Sequence, residues 1–113
     1  VDITAAHVFY DVTQQGVPGW VGVEMMAQTI GVLAGLEAQQ AGQDVKVGYL
    51  IGVRRYEAYQ PYFSNNSSLR IIAEARYRES GGVNSFFCQI QNEPDNKLLA
   101  EASLLVFEAN EAV

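Results

Sequence analysis

The stretch that decides the fold runs from residue 18 to residue 42 and reads PGWVGVEMMAQTIGVLAGLEAQQAG. Proline and glycine at its start and glycine at its end are typical helix boundaries, so we predict a helix from Trp20 to Ala41. At 1.5 Å per residue this helix is about 33 Å long. Apolar residues occur on nearly every side of it, which is typical of a helix surrounded by protein.

Glycines and polar residues interrupt the interior of this predicted helix. The glycines are Gly22, Gly31 and Gly35. Each costs about 1 kcal/mol relative to alanine, so we expect a tertiary reason for them, such as a sheet wrapped tightly around the helix. The polar residues are Glu24, Gln28 and Glu37. Because of them we expect no membrane span.

After Gly42 the hydrophobic pattern changes to a period of two residues, which is typical of β-strands. We predict four strands, at residues 46–59, 69–77, 83–92 and 97–108. Turn signals at Gly81-Gly82 and at residues 93–96 join the last three strands by short links. We therefore predict one α+β domain over residues 1–113, in which an antiparallel meander holds the long helix on its concave face.

Composition restricts the partners and the location of the protein. Seven basic and thirteen acidic residues give a net charge of −6, which disfavours nonspecific binding to nucleic acid. One cysteine and one histidine cannot form a Cys/His zinc site or an internal disulfide, so we expect no metal and a cytoplasmic location. The apolar set makes up 49% of a small domain, which favours at least a dimer. We also expect residues upstream of Val1 in the full protein.

Two side chains are candidates for acid–base chemistry. Glu24 lies one turn into an apolar helix, where we expect it to lose hydration, and Gln28 shares its face. A carboxylate that is solvated or that compensates the helix dipole is equally consistent with this pattern. His7 is the only imidazole and suits proton abstraction near neutral pH, although a loop histidine without a role is the alternative.

The glycine-rich entry to the helix is a candidate oxyanion site. Backbone N–H groups before a helix can bind an oxygen that carries or develops negative charge. We therefore expect the amides of Gly16, Val17 and Gly19 to bind such an oxygen.

Residues 7–28 resemble a known enzyme family. Segment 18–28, PGWVGVEMMAQ, is similar to the Pro-Gly-x4-Glu-x-Met-Ala-Gln segment of the β-hydroxyacyl-acyl-carrier-protein dehydratases. Segment 7–11, HVFYD, followed by GVP and WVG, is similar to the branch associated with aryl-polyene biosynthesis. The chain lacks the His-Phe-Pro-Gly of the fatty-acid enzymes, and its stretch from His7 to Glu24 is longer than theirs.

This resemblance implies a hot dog fold, a long central helix wrapped by an antiparallel sheet. It implies dehydration of 3-hydroxyacyl thioesters on acyl carrier protein to trans-2-enoyl thioesters, in fatty-acid-like or aryl-polyene biosynthesis. By resemblance His7 is the catalytic histidine, Glu24 the catalytic acid and Gln28 a supporting residue. No cofactor is implied beyond the phosphopantetheine that carries the substrate. The family builds each site from two subunits, so a homodimer or a hot dog heterodimer is implied.

The chemistry of dehydration agrees with these residues, and two alternatives stay open. The reaction needs a base for the α-proton, a donor for the departing hydroxyl and a group that stabilises the enolate oxygen. A hot dog acyl thioesterase would instead use Glu24 to activate water and would leave His7 without an essential role. A noncatalytic acyl-binding subunit is the other alternative. Arg54 and Arg55 are carrier-binding candidates or a solvated pair.

Overall fold

The computed structural model describes residues 1–44, 46–79 and 81–112. A 3₁₀ turn (Gly19–Val21) leads into one long helix, α1 (Gly22–Gln40). The strands are β1 (Gly16–Pro18), β2 (Lys46–Ala58), β3 (Tyr62–Ser64), β4 (Ser68–Tyr77), β5 (Val83–Glu93) and β6 (Leu98–Ala112). The predicted helix and the four predicted strands are therefore confirmed within a few residues at each end.

The four long strands form one antiparallel sheet in the order β2-β6-β5-β4. The three-stranded meander β4-β5-β6 is as predicted, but β2 lies beside β6 and not beside β4. Residues 60–67, predicted as a loop, contain β3, which pairs with β1 in a separate two-stranded sheet. After β2 the chain therefore passes through this small sheet and enters the main sheet at its opposite edge.

The hydrophobic core lies between α1 and one face of the main sheet. Its buried residues from α1 are Met25, Met26 and Ile30, and those from the sheet are Leu69, Phe86, Cys88, Ile90, Leu99, Ala100, Ala102 and Leu104. The alternation predicted for β5 is confirmed. Leu99 and Ala100 are buried side by side at the start of β6, where the register between β5 and β6 shifts.

One side of α1 is left uncovered by the residues that the structure describes. Val32 and Leu36 are 63% and 53% exposed. A Cβ added at Gly31 or Gly35 would meet nothing within 4 Å. We predicted a helix surrounded by protein, with glycines that let a sheet wrap tightly around it. At these four positions both predictions are wrong within one chain, because the sheet packs on the other side of the helix.

The apolar composition of this helix can be interpreted only together with its packing. By length and hydropathy alone, Gly19–Gln40 also qualifies as a candidate membrane span. The expectation that its polar residues exclude a span is therefore not supported by composition. Core helices of globular proteins pass the same test, and Met25, Met26 and Ile30 pack on the sheet here.

Candidate active site

His7 lies in a series of turns that precedes β1. The Tyr10 N–H donates to the His7 carbonyl oxygen at 2.9 Å, and the Phe9 N–H donates to the His7 Nδ1 at 3.1 Å. Since Nδ1 accepts this hydrogen bond, the neutral ring carries its proton on Nε2. Within one chain, His7 is therefore a hydrogen-bond donor at Nε2. To act as a base at Nε2, the ring must take the tautomer that carries its proton on Nδ1.

Glu24 and Gln28 lie on the first turns of α1. The Gln28 Nε2 donates to the Glu24 Oε1 at 3.0 Å, which confirms that the two side chains share a face. Both residues are exposed. The expectation that Glu24 loses hydration is therefore wrong for the described part of one chain, because α1 buries its other side and no described segment covers the carboxylate.

One cavity of about 960 Å³ brings together the predicted side chains of the site. His7, Glu24 and Gln28 all line it. Phe9 and Trp20 also line it, with their rings packed edge to face and their centroids 5.2 Å apart. The two aromatic residues were not predicted as part of the site, although both lie inside the segments that carried the resemblance. The remaining walls of the cavity are mostly apolar side chains, namely Val1, Val8, Val21, Val23, Met25 and Val32.

The predicted oxyanion amides are already engaged within the fold. The Gly16 N–H donates to the Asp11 carbonyl at 3.3 Å, and the Gly19 N–H donates to the Pro61 carbonyl at 2.8 Å. Val17 pairs with Phe63 in the ladder of β1 and β3. Because residues 16–18 form a strand and not an open loop, the prediction that these amides are free donors is wrong for Gly16 and Gly19.

Trp20 supplies a backbone donor that the sequence prediction did not single out. Its N–H lies in the first turn of the helical segment, where N–H groups have no acceptor within the helix. No backbone hydrogen bond outside the helices and strands of the described residues uses it. Trp20 lines the cavity that contains His7 and Glu24.

A second cavity of about 400 Å³ adjoins the first. Glu24 and Gln28 line both cavities. The second one extends along α1 as far as Ala34, roughly 15 Å at 1.5 Å per residue. Its apolar lining residues are Ala27, Ile30, Gly31, Ala34, Leu50, Phe86 and Val106. Arg78, which forms a bidentate ion pair with Glu37 of α1 at 2.9 and 3.0 Å, lines the same cavity.

The carrier-binding candidates lie on the edge strand of the main sheet. Arg54 and Arg55 are exposed on β2, and neither lines the cavity that contains His7. Arg55 has a φ of 54°, at a shift in register between Arg54 and Glu57. The carrier-binding role of this pair stays a prediction.

The described residues contain no group of three or more His, Cys, Asp and Glu side chains able to hold a metal ion.

Comparisons with known proteins complete the description of the site. The model of the ApeP-like family, described as ApeP dehydratase, matches residues 1–113. A comparison with curated proteins found no match.

Three solved structures are similar to this chain. The dehydratase heterocomplex ApeI:P from Xenorhabdus doucetiae has a TM-score of 0.86 and 26% identity, over 98% of this chain and 73% of that one. The probable thioesterase YbaW from Escherichia coli has a TM-score of 0.68 and 16% identity, over 100% of this chain and 85% of that one. HI0827, a hexameric broad-specificity acyl-coenzyme A thioesterase, has a TM-score of 0.64 and 12% identity, over 93% and 75%. The last two show the fold alone, and together the three confirm the predicted hot dog fold.

Proposed function

The chain belongs to the ApeP-like dehydratase family, and from that premise we propose that it dehydrates 3-hydroxyacyl thioesters carried on acyl carrier protein. The product is the trans-2-enoyl thioester, made in fatty-acid-like or aryl-polyene biosynthesis. One observation carries this proposal. A single cavity holds the only imidazole of the chain together with a carboxylate and its amide partner, at the start of the central helix.

In the proposed reaction three groups of this chain act on the substrate. His7, in the tautomer that is protonated at Nδ1, takes the proton from C2 at its Nε2, and the electron pair of that C–H bond forms the C2–C3 double bond. The C3–O bond breaks, and the protonated Glu24 carboxyl gives its proton to the departing hydroxyl, which leaves as water. The Trp20 N–H donates to the thioester oxygen as negative charge develops there. Proton transfer from His7 to Glu24 through solvent restores the starting state.

One feature of the structure supports an acyl thioester as the substrate. The second cavity begins at Glu24 and Gln28 and has more apolar than polar lining residues, which suits a hydrocarbon chain. No cofactor takes part in the proposed steps, because the phosphopantetheine of the carrier protein delivers the substrate and both proton transfers use side chains.

A second hot dog subunit is part of the proposal. The similar ApeI:P structure is a dehydratase heterocomplex. The resemblance of residues 7–28 to the dehydratase family also implies a site shared between two subunits. A partner subunit that covers Glu24 would also remove the water that surrounds it in the isolated chain. We place the complex in the cytoplasm, where acyl carrier protein is available.

Intact-mass measurement of carrier-bound substrates tests the proposal. The purified oligomer is incubated with 3-hydroxyacyl thioesters and with enoyl thioesters on acyl carrier protein. Loss or gain of one water by the carrier-bound acyl group is expected. Release of the free carrier thiol would support the thioesterase alternative. Unchanged masses would support the noncatalytic subunit.

Charge reversal on β2 tests the carrier protein as a partner. If Arg54 receives an acidic carrier, Arg54→Glu slows turnover of carrier-bound substrate and leaves turnover of a short pantetheine thioester unchanged. High salt should slow the parent on carrier-bound substrate alone. Equal losses on both substrates would contradict a carrier-binding role. Arg55 is left intact in this test because its left-handed conformation is part of the local structure of β2.

A further inference from the structure

Tyr56 on β2 reaches the start of the central helix. Its hydroxyl donates to the carbonyl oxygen of Gly19, in the 3₁₀ turn that precedes α1. We propose that Tyr56 is a positioning residue for the dehydration, which holds this turn and thereby fixes the placement of Glu24 in the cavity. This inference rests on the proposed function.

The helix start is shaped to admit the Tyr56 hydroxyl. A Cβ at Gly22 would collide with that hydroxyl and would lie 3.0 Å from the Ile90 Cδ1. Gly22 is thus the one interior glycine of the predicted helix whose missing side chain makes room for another residue. The absence of a side chain there, and not general flexibility, lets strand and helix approach.

A bulge in β2 directs Tyr56 toward the helix. The register with β6 shifts between Arg54 and Glu57, and Arg55 takes a left-handed φ of 54°. Such bulges re-aim the next side chain and are frequent beside active sites. Tyr56 is half-buried, whereas the residues on both sides of it are exposed. The left-handed conformation of Arg55 is energetically unfavourable for a residue with a side chain. The packing of Tyr56 offsets this conformational free energy.

Gly19 is held through both of the peptide groups that flank its Cα. Its carbonyl accepts from Tyr56, and its N–H donates to the Pro61 carbonyl at 2.8 Å. Space is also tight, because a Cβ at Gly19 would lie 2.9 Å from the Gln60 carbonyl oxygen. Burial raises the pKa of Tyr56, so its hydroxyl stays protonated and able to donate at neutral pH. The turn that precedes Glu24 is therefore anchored to both β2 and the segment after it.

Kinetics of Tyr56→Phe test this role, with Tyr59→Phe as the matched control. Tyr59 also follows the bulge, but its hydroxyl lies within hydrogen-bonding distance of the exposed carboxylates of Glu57 and Glu101, at 3.1 and 3.0 Å. Among the described residues, no side-chain hydrogen bond joins this hydroxyl to α1. In Tyr56→Phe we expect kcat to fall about tenfold to a hundredfold with KM unchanged, since a small displacement of a catalytic group has an effect of that size. In Tyr59→Phe both constants should stay at parental values.

Amide hydrogen exchange separates this inference from the proposed function. Residues 19–24 should exchange faster in Tyr56→Phe than in the parent or in Tyr59→Phe. Gly22→Ala, which displaces the same hydroxyl, should reproduce both the kinetic and the exchange effects. Parental kcat in Tyr56→Phe, or unchanged exchange at residues 19–24, would overturn the inference. If the parent itself releases no water from the substrate, the proposed function fails, while the exchange comparison still decides whether Tyr56 holds the turn.

Discussion

His7 and Glu24 carry the chemistry of the proposed reaction as single side chains. Removal of a positioned acid or base lowers turnover by about a hundredfold or more. We therefore expect His7→Ala and Glu24→Gln each to reduce kcat by at least that factor, measured on carrier-bound 3-hydroxyacyl substrate. Both variants should fold, because both side chains line an open cavity and neither belongs to the buried core. If Glu24→Gln is inactive while His7→Ala keeps full activity, the result would favour the thioesterase alternative.

We predict that the protein becomes less stable at alkaline pH because of Cys88. Its side chain is fully buried on β5, and burial raises the pKa of the thiol from 9.0 to about 11. The unfolded thiol ionises first, so the free energy of unfolding should fall by on the order of 2 kcal/mol as the pH rises through this interval. Urea unfolding at a series of pH values measures the fall. It should be smaller in Cys88→Ala, in which the tyrosines still ionise at higher pH. An equal fall in both proteins would contradict this origin.

The secondary-structure elements differ in how completely this chain covers them. The buried face of α1 packs on the sheet, while the opposite face carries Val32 and Leu36 in an exposed position. A Cβ added at Gly31 or Gly35 would meet nothing within 4 Å, and Gly31 also lines the second cavity. An exposed apolar face with two glycines suits a close approach by another subunit.

Substitution of the two exposed glycines tests whether this face is an interface. The double variant Gly31→Ala/Gly35→Ala should raise the free energy of unfolding of the isolated chain by about 1 to 2 kcal/mol, since alanine favours the helix at each site. The added methyl groups should weaken association, measured as a higher dissociation constant in sedimentation. Gly42→Ala, beyond the end of α1 at a φ of 66°, serves as a control that strains a turn without touching this face. Unchanged association of the double variant would place the interface elsewhere.

At the scale of the whole molecule, the number of chains that build one site is a prediction that can be tested. Within one chain, His7 and Glu24 already line the same cavity, but Glu24 is exposed and His7 presents a donor at Nε2. A second subunit can change both features. It can cover the Glu24 carboxylate, and it can replace the Phe9 N–H as the hydrogen-bond partner of the His7 ring. The resemblance implies that His7 and Glu24 of one site come from different subunits, whereas the cavity of one chain already contains both, so complementation decides between a shared site and a site within one chain.

Complementation tests the shared site directly. Subunits of His7→Ala and Glu24→Gln proteins are exchanged, and exchange is confirmed by native mass. If the two residues of one site come from different chains of a homodimer, each mixed dimer has one intact site. About half the dimers are mixed after random exchange, so about a quarter of parental activity should return. No recovery after confirmed exchange would show that both residues act from one chain.

Local periodicity and spacing were enough to predict the helix and the four long strands of this fold, but not the short strands β1 and β3. The boundaries of α1, the strands after residue 42 and the hairpins at Gly81-Gly82 and residues 93–96 follow from neighbouring residues alone. The pairing of Gln28 with Glu24 follows from four-residue spacing on a helix in the same way. The position of β2 beside β6 did not follow, because it depends on the path taken through β1 and β3.

The sequence by itself determined the helix, the strand pattern, the resemblance to hot dog dehydratases and the candidate pair His7 and Glu24. These depend on interactions between residues close in the chain, or on motif spacing. Only the tertiary structure decided that Asp11 and Pro61 engage the amides of Gly16 and Gly19, and that Tyr56 holds the start of α1. Solvation and hydrogen-bond partners depend on which distant segments meet, and one-dimensional patterns do not contain that information.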